Sequence, residues 1–356
     1  MRRLARWLIM AAMLAAGGCT TTMEQQAETG LLIIAHRGAS GERPEHTLMA
    51  YELAIQQGAD YIEPDLVPTK DGHLVVRHES NITETTDIAQ HPEFAMRRTT
   101  KTIDGVKETG WFTEDFTLAE LKTLRAIERL PQMRPANTKY NGQAEIPTIE
   151  EVIALAKRAS AETGRTIGIY PETKHPTYFA SIGLALEPKL LAALKAAGWD
   201  RADAPVFIQS FEVDNLKALH KQTRVRLIQL IKPATAPADG SYASYREMVA
   251  PDALKQIAEY AYGIGPELTL ILAPDGKPTT LIDDAHALGL KLHPWTFRAE
   301  NAFLHTSYRT GTNPAEHGRL LEEIKFFIDL GVDGFFTDYP YIGAQARASA
   351  IRSPAK

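Results

Sequence analysis

Short apolar, β-branched runs recur along the chain at 31–35, 60–67, 73–77, 166–170, 205–209, 225–231, 267–272, 289–293 and 332–336. The stretches between them, such as 47–58, 148–159 and 281–288, carry apolar residues at helical spacing instead. Strands alternating with helices over about 300 residues predict an α/β fold with a parallel sheet and crossover helices, and a closed (β/α)8 TIM barrel is the commonest solution at this length. Nine runs exceed the eight a barrel needs, so one is surplus. It falls at Lys70-Asp71-Gly72-His73, because Asp-Gly between two apolar runs signals a hairpin. Pairing across that turn sets His78 opposite Asp65 or one register step away.

From 80 to 145 the periodicity breaks into polar, turn-rich sequence with one helix over 118–124, opened by a capping box of Thr117 and Glu120. An insertion this long after the third strand is expected to be functional and to sit over the barrel mouth. Regular structure resumes at Thr148, which forms a second capping box with Glu151. The barrel is thus expected over 31–346, with a short tail at 347–356.

The N-terminus reads as an export signal over 1–18: Arg2, Arg3 and Arg6 precede an apolar stretch from 7 to 16, then Gly17 and Gly18. Such a stretch is too short for a good membrane span. Cys19 is the only cysteine, so it forms no intramolecular disulfide, and its position resembles a bacterial lipobox. The expectation is a lipidated Cys19, a polar tether over 19–30, and an exported, periplasmic protein that meets the membrane only through that anchor. Removal of the signal leaves 36 basic against 44 acidic residues, a balance of −8. That surface argues against nucleic acid as a partner, since such binding is mainly phosphate neutralisation by Lys and Arg. An anionic small molecule would need a local positive site instead.

Such a site is suggested where 31–35 runs into His36-Arg37-Gly38. A buried strand ending in an ionisable His and a permanently charged Arg aims both at one point, most naturally a phosphate. Together with Glu63, Asp65, His78 and the segment Tyr170-Pro171-Glu172-Thr173-Lys174, these residues resemble the glycerophosphodiester phosphodiesterase family. The match continues in order through GERPEHT at 41–47, GADYIEPDL at 58–66, QSFE at 209–212, HPWTFR at 293–298 and GFFTDYP at 334–340. With the export signal and the insertion, the resemblance points to the exported, calcium-dependent branch of that family. It implies hydrolysis of small-molecule glycerophosphodiesters to an alcohol and sn-glycerol 3-phosphate on a TIM barrel.

The individual residues make chemical sense of that implication. Glu63 and Asp65 lie two apart on a strand and point to one side, and Glu172 ends a later strand; three hard carboxylates suit Ca2+ or Mg2+ rather than zinc. His36 and His78 are candidates for general acid and base, in either order. Arg37 offers a planar fork for phosphate oxygens and Lys174 a point charge on the same side. Trp295, Phe211 and Tyr170 are candidates for an apolar wall against a glycerol carbon chain. Glu45 reads as a partner supporting a His or the metal, and Asp338 as a residue orienting a neighbour. The chain departs from the family pattern at Glu79, where Asp commonly follows the second His. Two other readings are a phospholipase-type phosphodiesterase acting on intact lipid, and a surface-binding lipoprotein without catalysis.

Overall fold

The computed structural model describes residues 30–351. The expected export signal, Cys19, nearly all of the tether and the last residues of the tail lie outside the described residues. Thirteen strands are described: β1 (Leu32–His36), β2 (Tyr61–Glu63), β3 (Asp65–Pro68), β4 (Leu74–Val76), β5 (Thr99–Ile103), β6 (Val106–Gly110), β7 (Gly168–Ile169), β8 (Glu172–Thr173), β9 (Phe207–Ser210), β10 (Arg226–Ile231), β11 (Gly263–Pro266), β12 (Lys291–Leu292) and β13 (Gly334–Thr337). They form parallel ladders in the orders β13-β1-β2-β7 and β12-β11-β10-β9-β8-β3. β2 with β3, and β7 with β8, are single runs of chain interrupted at Pro64 and Pro171, which lack the N–H a ladder requires. Register carries across both breaks, through Tyr170 N–H donating to Ile62 O at 2.9 Å and Glu172 N–H to Pro64 O at 3.0 Å. The ring closes where the chain after β12 meets β13: Asp333 N–H donates to Leu292 O, Phe336 N–H to Pro294 O, and Phe297 N–H to Phe336 O, at 2.9–3.0 Å. The result is the eight-stranded TIM-type barrel that the alternating pattern predicts.

The surplus strand is β4, antiparallel to β3 with Leu66 opposite Val76 and Pro68 opposite Leu74. Arg77 N–H donates to Asp65 O at 3.0 Å, which places His78 one step beyond Asp65. One predicted strand is wrong. Within 267–272 lies a single 3-10 turn, Leu268–Leu270, and the barrel strand is β11 just before it. Its sequence Gly-Ile-Gly-Pro looks like a turn, yet a Cβ on Gly263 would collide with the Lys291 carbonyl oxygen of the next strand. That close approach between strands demands the glycine, and the same glycine hides the strand.

Side chains alternate across the barrel wall. Ile33 and Phe335 join the large core between strands and helices, whereas Ile34 and Phe336 face inward with Tyr170, Phe207 and Ile228. Tyr170 and Phe207 stack with ring centroids 4.8 Å apart, and the Tyr170 hydroxyl lies 2.8 Å from His293 Nδ1. Tyr170 is therefore part of an aromatic plug in the barrel interior, not the substrate wall expected of it. Outside the ring, the helix Ile149–Thr163 opens with the expected Thr148/Glu151 capping box, and the short helix Leu118–Leu121 with Thr117/Glu120. The 80–145 segment also contains the hairpin β5–β6, whose turn residues Asp104 and Gly105 have φ of 48° and 79°, the geometry of a two-residue type I′ connection. No described helix is long and apolar enough to cross a membrane.

Thr148 Oγ1 accepts from Glu151 N–H and Glu151 Oε2 from Thr148 N–H, at 3.3 and 2.8 Å. Thr148→Ala is expected to lower unfolding free energy by about 1 kcal/mol in urea titration; an unchanged midpoint would show that the cap contributes nothing to the fold.

Candidate active site

The site lies beyond the aromatic plug, at the C-terminal ends of the strands. His36 is the last residue of β1, and the chain then turns sharply through Arg37 and Gly38, with φ of 60° and 88°. A Cβ on Gly38 would lie 2.7 Å from the Ala50 carbonyl carbon, so only glycine fits. Arg37 holds its left-handed conformation while its N–H donates to Glu63 Oε2 at 2.8 Å, strain of the kind found where a side chain must be aimed.

His36, Arg37, Glu63, His78, Glu172, Lys174, Gln209, Phe211 and Trp295 line one cavity of about 490 Å3. His36 Nδ1 lies 2.6 Å from Asp338 Oδ1, which fixes the proton on Nδ1 and leaves Nε2 as the free base. His78 Nδ1 lies 2.8 Å from Glu79 Oε1, and its Nε2 accepts from Lys174 Nζ at 3.4 Å. The longer Glu79 thus still brings its charge beside the imidazole, although the angle is not that of a hydrogen bond. Burial and the Arg37 charge, acting against Asp338, hold His36 down at about 3. Burial, Arg37 and Lys174 hold His78 down at about 4, against Glu79. Both imidazoles are neutral at neutral pH.

Arg37 is buried, with Nη1 on Glu45 at 3.2–3.3 Å and Nε 3.4 Å from Asp65 Oδ2; among the described residues Nη2 has no hydrogen-bond partner. Lys174 Nζ pairs with Glu172 Oε1 at 3.0 Å. Burial opposes the charged form of both cations, but the surrounding carboxylates outweigh it and keep them protonated.

Glu63, Asp65 and Glu172 are all buried, and one oxygen from each lies within 4.8 Å of the others. Glu63 also accepts from Gln209 Nε2 at 3.0 Å. Burial and then the Asp65 charge push Glu63 well up, and burial pushes Glu172 up to about 8 with Lys174 opposing. Asp65 is held low despite its burial, by Lys174 and His46. Asp65 Oδ1 has no hydrogen-bond partner although fully buried. Three converging carboxylates with an orphaned oxygen form a donor set that fits a hard divalent cation.

The supporting contacts correct one expectation. Among the described residues Glu45 makes no hydrogen bond to a His or to the triad; it pairs with Arg37 and, at 2.9 Å, with Arg129 Nε from the insertion. The next residue, His46, does the supporting instead, with Nε2 2.8 Å from Asp65 Oδ2 and Nδ1 2.8 Å from the Tyr51 hydroxyl. Adjacent residues in GERPEHT look equally suitable in sequence, and only the left-handed φ of 57° at His46 decides which points where. Asp338 orients His36 and is itself held by Arg134 Nη2 at 2.6 Å and Arg298 Nε at 3.0 Å. Arg134 comes from the insertion, where no periodicity singles it out. Gln209, which donates to Glu63, and His175, which bridges Glu79 and Asp104, also enter the site only in three dimensions, although each lies within a quoted motif or next to one. Phe211 and Trp295 meet edge to face at 5.6 Å on the cavity wall, with Trp295 Nε1 donating to Gly265 O at 2.8 Å.

The family model described as the glycerophosphoryl diester phosphodiesterase family matches residues 36–342. The chain is 37% identical over 337 residues to glycerophosphodiester phosphodiesterase GDPD6 of Arabidopsis thaliana, covering 90% of this chain and 86% of the relative. It is 30% identical over 377 residues to a glycerophosphodiester phosphodiesterase of Haemophilus influenzae, covering 97% and 98%. Among solved structures, an Oleispira antarctica phosphodiesterase in complex with the product sn-glycerol-3-phosphate superposes with a TM-score of 0.57 at 22% identity, covering 90% of this chain and 97% of that one.

Gly38→Ala is expected to cost at least about 2 kcal/mol of stability, from the left-handed conformation and the clash with Ala50. Urea unfolding measures it, and a wild-type midpoint would mean the turn relaxes freely.

Proposed function

The chain belongs to the glycerophosphoryl diester phosphodiesterase family, and from that premise we propose that it hydrolyses glycerophosphodiesters to an alcohol and sn-glycerol 3-phosphate in the cavity at the C-terminal end of the barrel. The observation that carries the reading is the convergence of two neutral imidazoles, each with its Nδ1 beside a carboxylate, on a cavity that also holds Arg37 and Lys174. Arg37 Nη2 and Lys174 Nζ grip the phosphate oxygens and offset the charge that builds as the attacking oxygen adds to phosphorus. The bound phosphodiester anion also offsets the positive charge that depresses His36 and His78, bringing them toward the range of proton transfer. One Nε2 takes the proton of the attacking oxygen, from water or the neighbouring glycerol hydroxyl. The other imidazole, carrying a second proton on Nε2 once the substrate anion has raised its proton affinity, donates that proton to the leaving alkoxide as the P–O bond breaks. Asp338 orients the His36 ring by a hydrogen bond, Glu79 sets its charge beside the His78 ring, and Phe211 with Trp295 offers an apolar surface to the glycerol carbons.

The buried triad supports a bound divalent cation held by Glu63, Asp65 and Glu172, Ca2+ in the first place and Mg2+ as the alternative. When bound, such a cation supplies positive charge that relieves the three carboxylates and polarises the phosphoryl group. The proposal extends to export and to tethering through a lipid on Cys19, supported by the N-terminal sequence pattern.

Release of sn-glycerol 3-phosphate from glycerophosphocholine, followed with a coupled assay, tests the reaction. His36→Ala and His78→Ala are each expected to lower kcat by about 10^3-fold with an unchanged far-ultraviolet circular dichroism spectrum; near-wild-type turnover by either would defeat the acid and base assignment. Independently of activity, saturating Ca2+ or Mg2+ added after chelation should stabilise the protein by about 2.7 kcal/mol at 100 times Kd, read as a rise in thermal midpoint. Asp65→Asn should abolish that rise, and an equal rise in the variant would place the cation elsewhere.

A further inference from the structure

The hairpin β5–β6 forms one wall of the catalytic cavity, through Ile103, Asp104, Val106 and Glu108. Val106 is 59% exposed, whereas Ile103, its partner across the turn, is buried and anchors that strand. The turn residue Asp104 is held by His175. Its Nδ1 lies 2.5 Å from Asp104 Oδ2 at the hairpin turn, and its Nε2 lies 2.9 Å from Glu79 Oε2. The other oxygen of Glu79 is 2.8 Å from His78 Nδ1. Hairpin tip, His175, Glu79 and His78 are therefore joined by three consecutive short contacts.

Both nitrogens of His175 face carboxylate oxygens, which accept and cannot donate, so the ring must carry both protons to satisfy them. Burial and the neighbouring Lys174 disfavour that charge, but the hydrogen bonds to Asp104 and Glu79 outweigh them and push His175 up to about 9. The residue sits at φ 46°, between Lys174 and the helix Pro176–Ser181, a left-handed position that aims the ring away from the strand toward the hairpin. Glu79 is 40% exposed in its side chain, so without a second partner it is free to swing into solvent.

We propose that His175 is a positioning residue that clamps the hairpin tip at Asp104 to Glu79, so that closing the hairpin over the cavity and orienting His78 are a single event. This rests on the reading of His78 as an acid or base. Lifting of the tip breaks the Asp104 contact and leaves His175 held by Glu79 alone. Closure restores the full chain of contacts only once the cavity is covered, so His78 is locked when water is excluded.

His175→Asn and Asp104→Asn test this in the full-length protein, since Asn tolerates the left-handed conformation at both positions. For His175→Asn the expectation is a fall in kcat on glycerophosphocholine of about tenfold or more, the usual effect of losing a residue that orients a catalytic ligand. Amide hydrogen exchange over 99–110 should rise in both variants, and the double variant should exchange no faster than His175→Asn alone. The 15N shift of His78 Nδ1 should move in His175→Asn. Thr148→Ala, which lowers stability at a residue outside the cavity lining, serves as the control and should move neither reading. If His175→Asn matches that control, with lower stability but unchanged kcat, exchange and His78 shift, the clamp is overturned. A wild-type protein inactive on the diester would fail the phosphodiesterase reading instead, while exchange and the nitrogen shift still decide the clamp.

Discussion

Buried charge is the constraint around which this structure is built. Glu45, Glu63, Asp65, Glu172 and Asp338 are all nearly inaccessible to water, and an unpaired ion in such surroundings costs several kcal/mol. Arg37 stands at the centre of the solution, touching Glu63 through its main chain and Glu45 and Asp65 through its guanidinium. The pairing is incomplete by design of the local geometry: Glu63 and Glu172 remain pushed up and Asp65 Oδ1 remains without a partner. The residual negative charge is what makes the cavity receptive to a cation, and the residual donors of Arg37 and Lys174 are what make it receptive to an anion. A site of this kind is stabilised by its ligands rather than by itself.

The barrel keeps that cluster in place by dividing its interior into two layers. Below, Ile34, Tyr170, Phe207, Ile228 and Phe336 form a dense aromatic and aliphatic plug, which excludes water and resists deformation. Above it the same strands, two residues further on, deliver His36, Glu172, Gln209 and Asp338 to the cavity or its edge. The side-chain period of two lets a single strand contribute to both layers without a bend. The ring closure between the chain after β12 and β13 brings Asp338 beside His36 across the seam, although the two lie 302 residues apart.

The insertion supplies what the barrel lacks. Arg129 and Arg134 reach from it to Glu45, Glu300 and Asp338, so the acidic rim is neutralised by cations from a segment that has no periodic pattern of its own. Its hairpin then covers the opposite side of the cavity through Asp104 and His175. A segment of this length gains its order from such ion pairs, from the capped helix Leu118–Leu121, and from Ile82, Ile88, Phe94, Phe116, Leu121 and Leu124, which it buries in the main core.

Features dictated by neighbours along the chain could be read from sequence. Helical spacing and capping boxes marked the helices at 149 and 118, Asp71-Gly72 marked the hairpin and with it the register of His78 to Asp65, and the two-residue spacing put Glu63 and Asp65 on one side. Other features depend on contacts between distant segments, and no local pattern encodes them. Pairing with β10 and β12, at a close approach to the Lys291 backbone that only glycine allows, made a strand of Gly263–Pro266; a left-handed backbone angle turned His46 rather than Glu45 toward Asp65; and the closed ring turned Tyr170 into core and carried Arg134 and His175 to the site. Local periodicity and turn chemistry act within a few residues and are written in the sequence directly. Which buried charges meet, and which are left wanting a partner, is a property of the three-dimensional field and is settled only when the barrel closes.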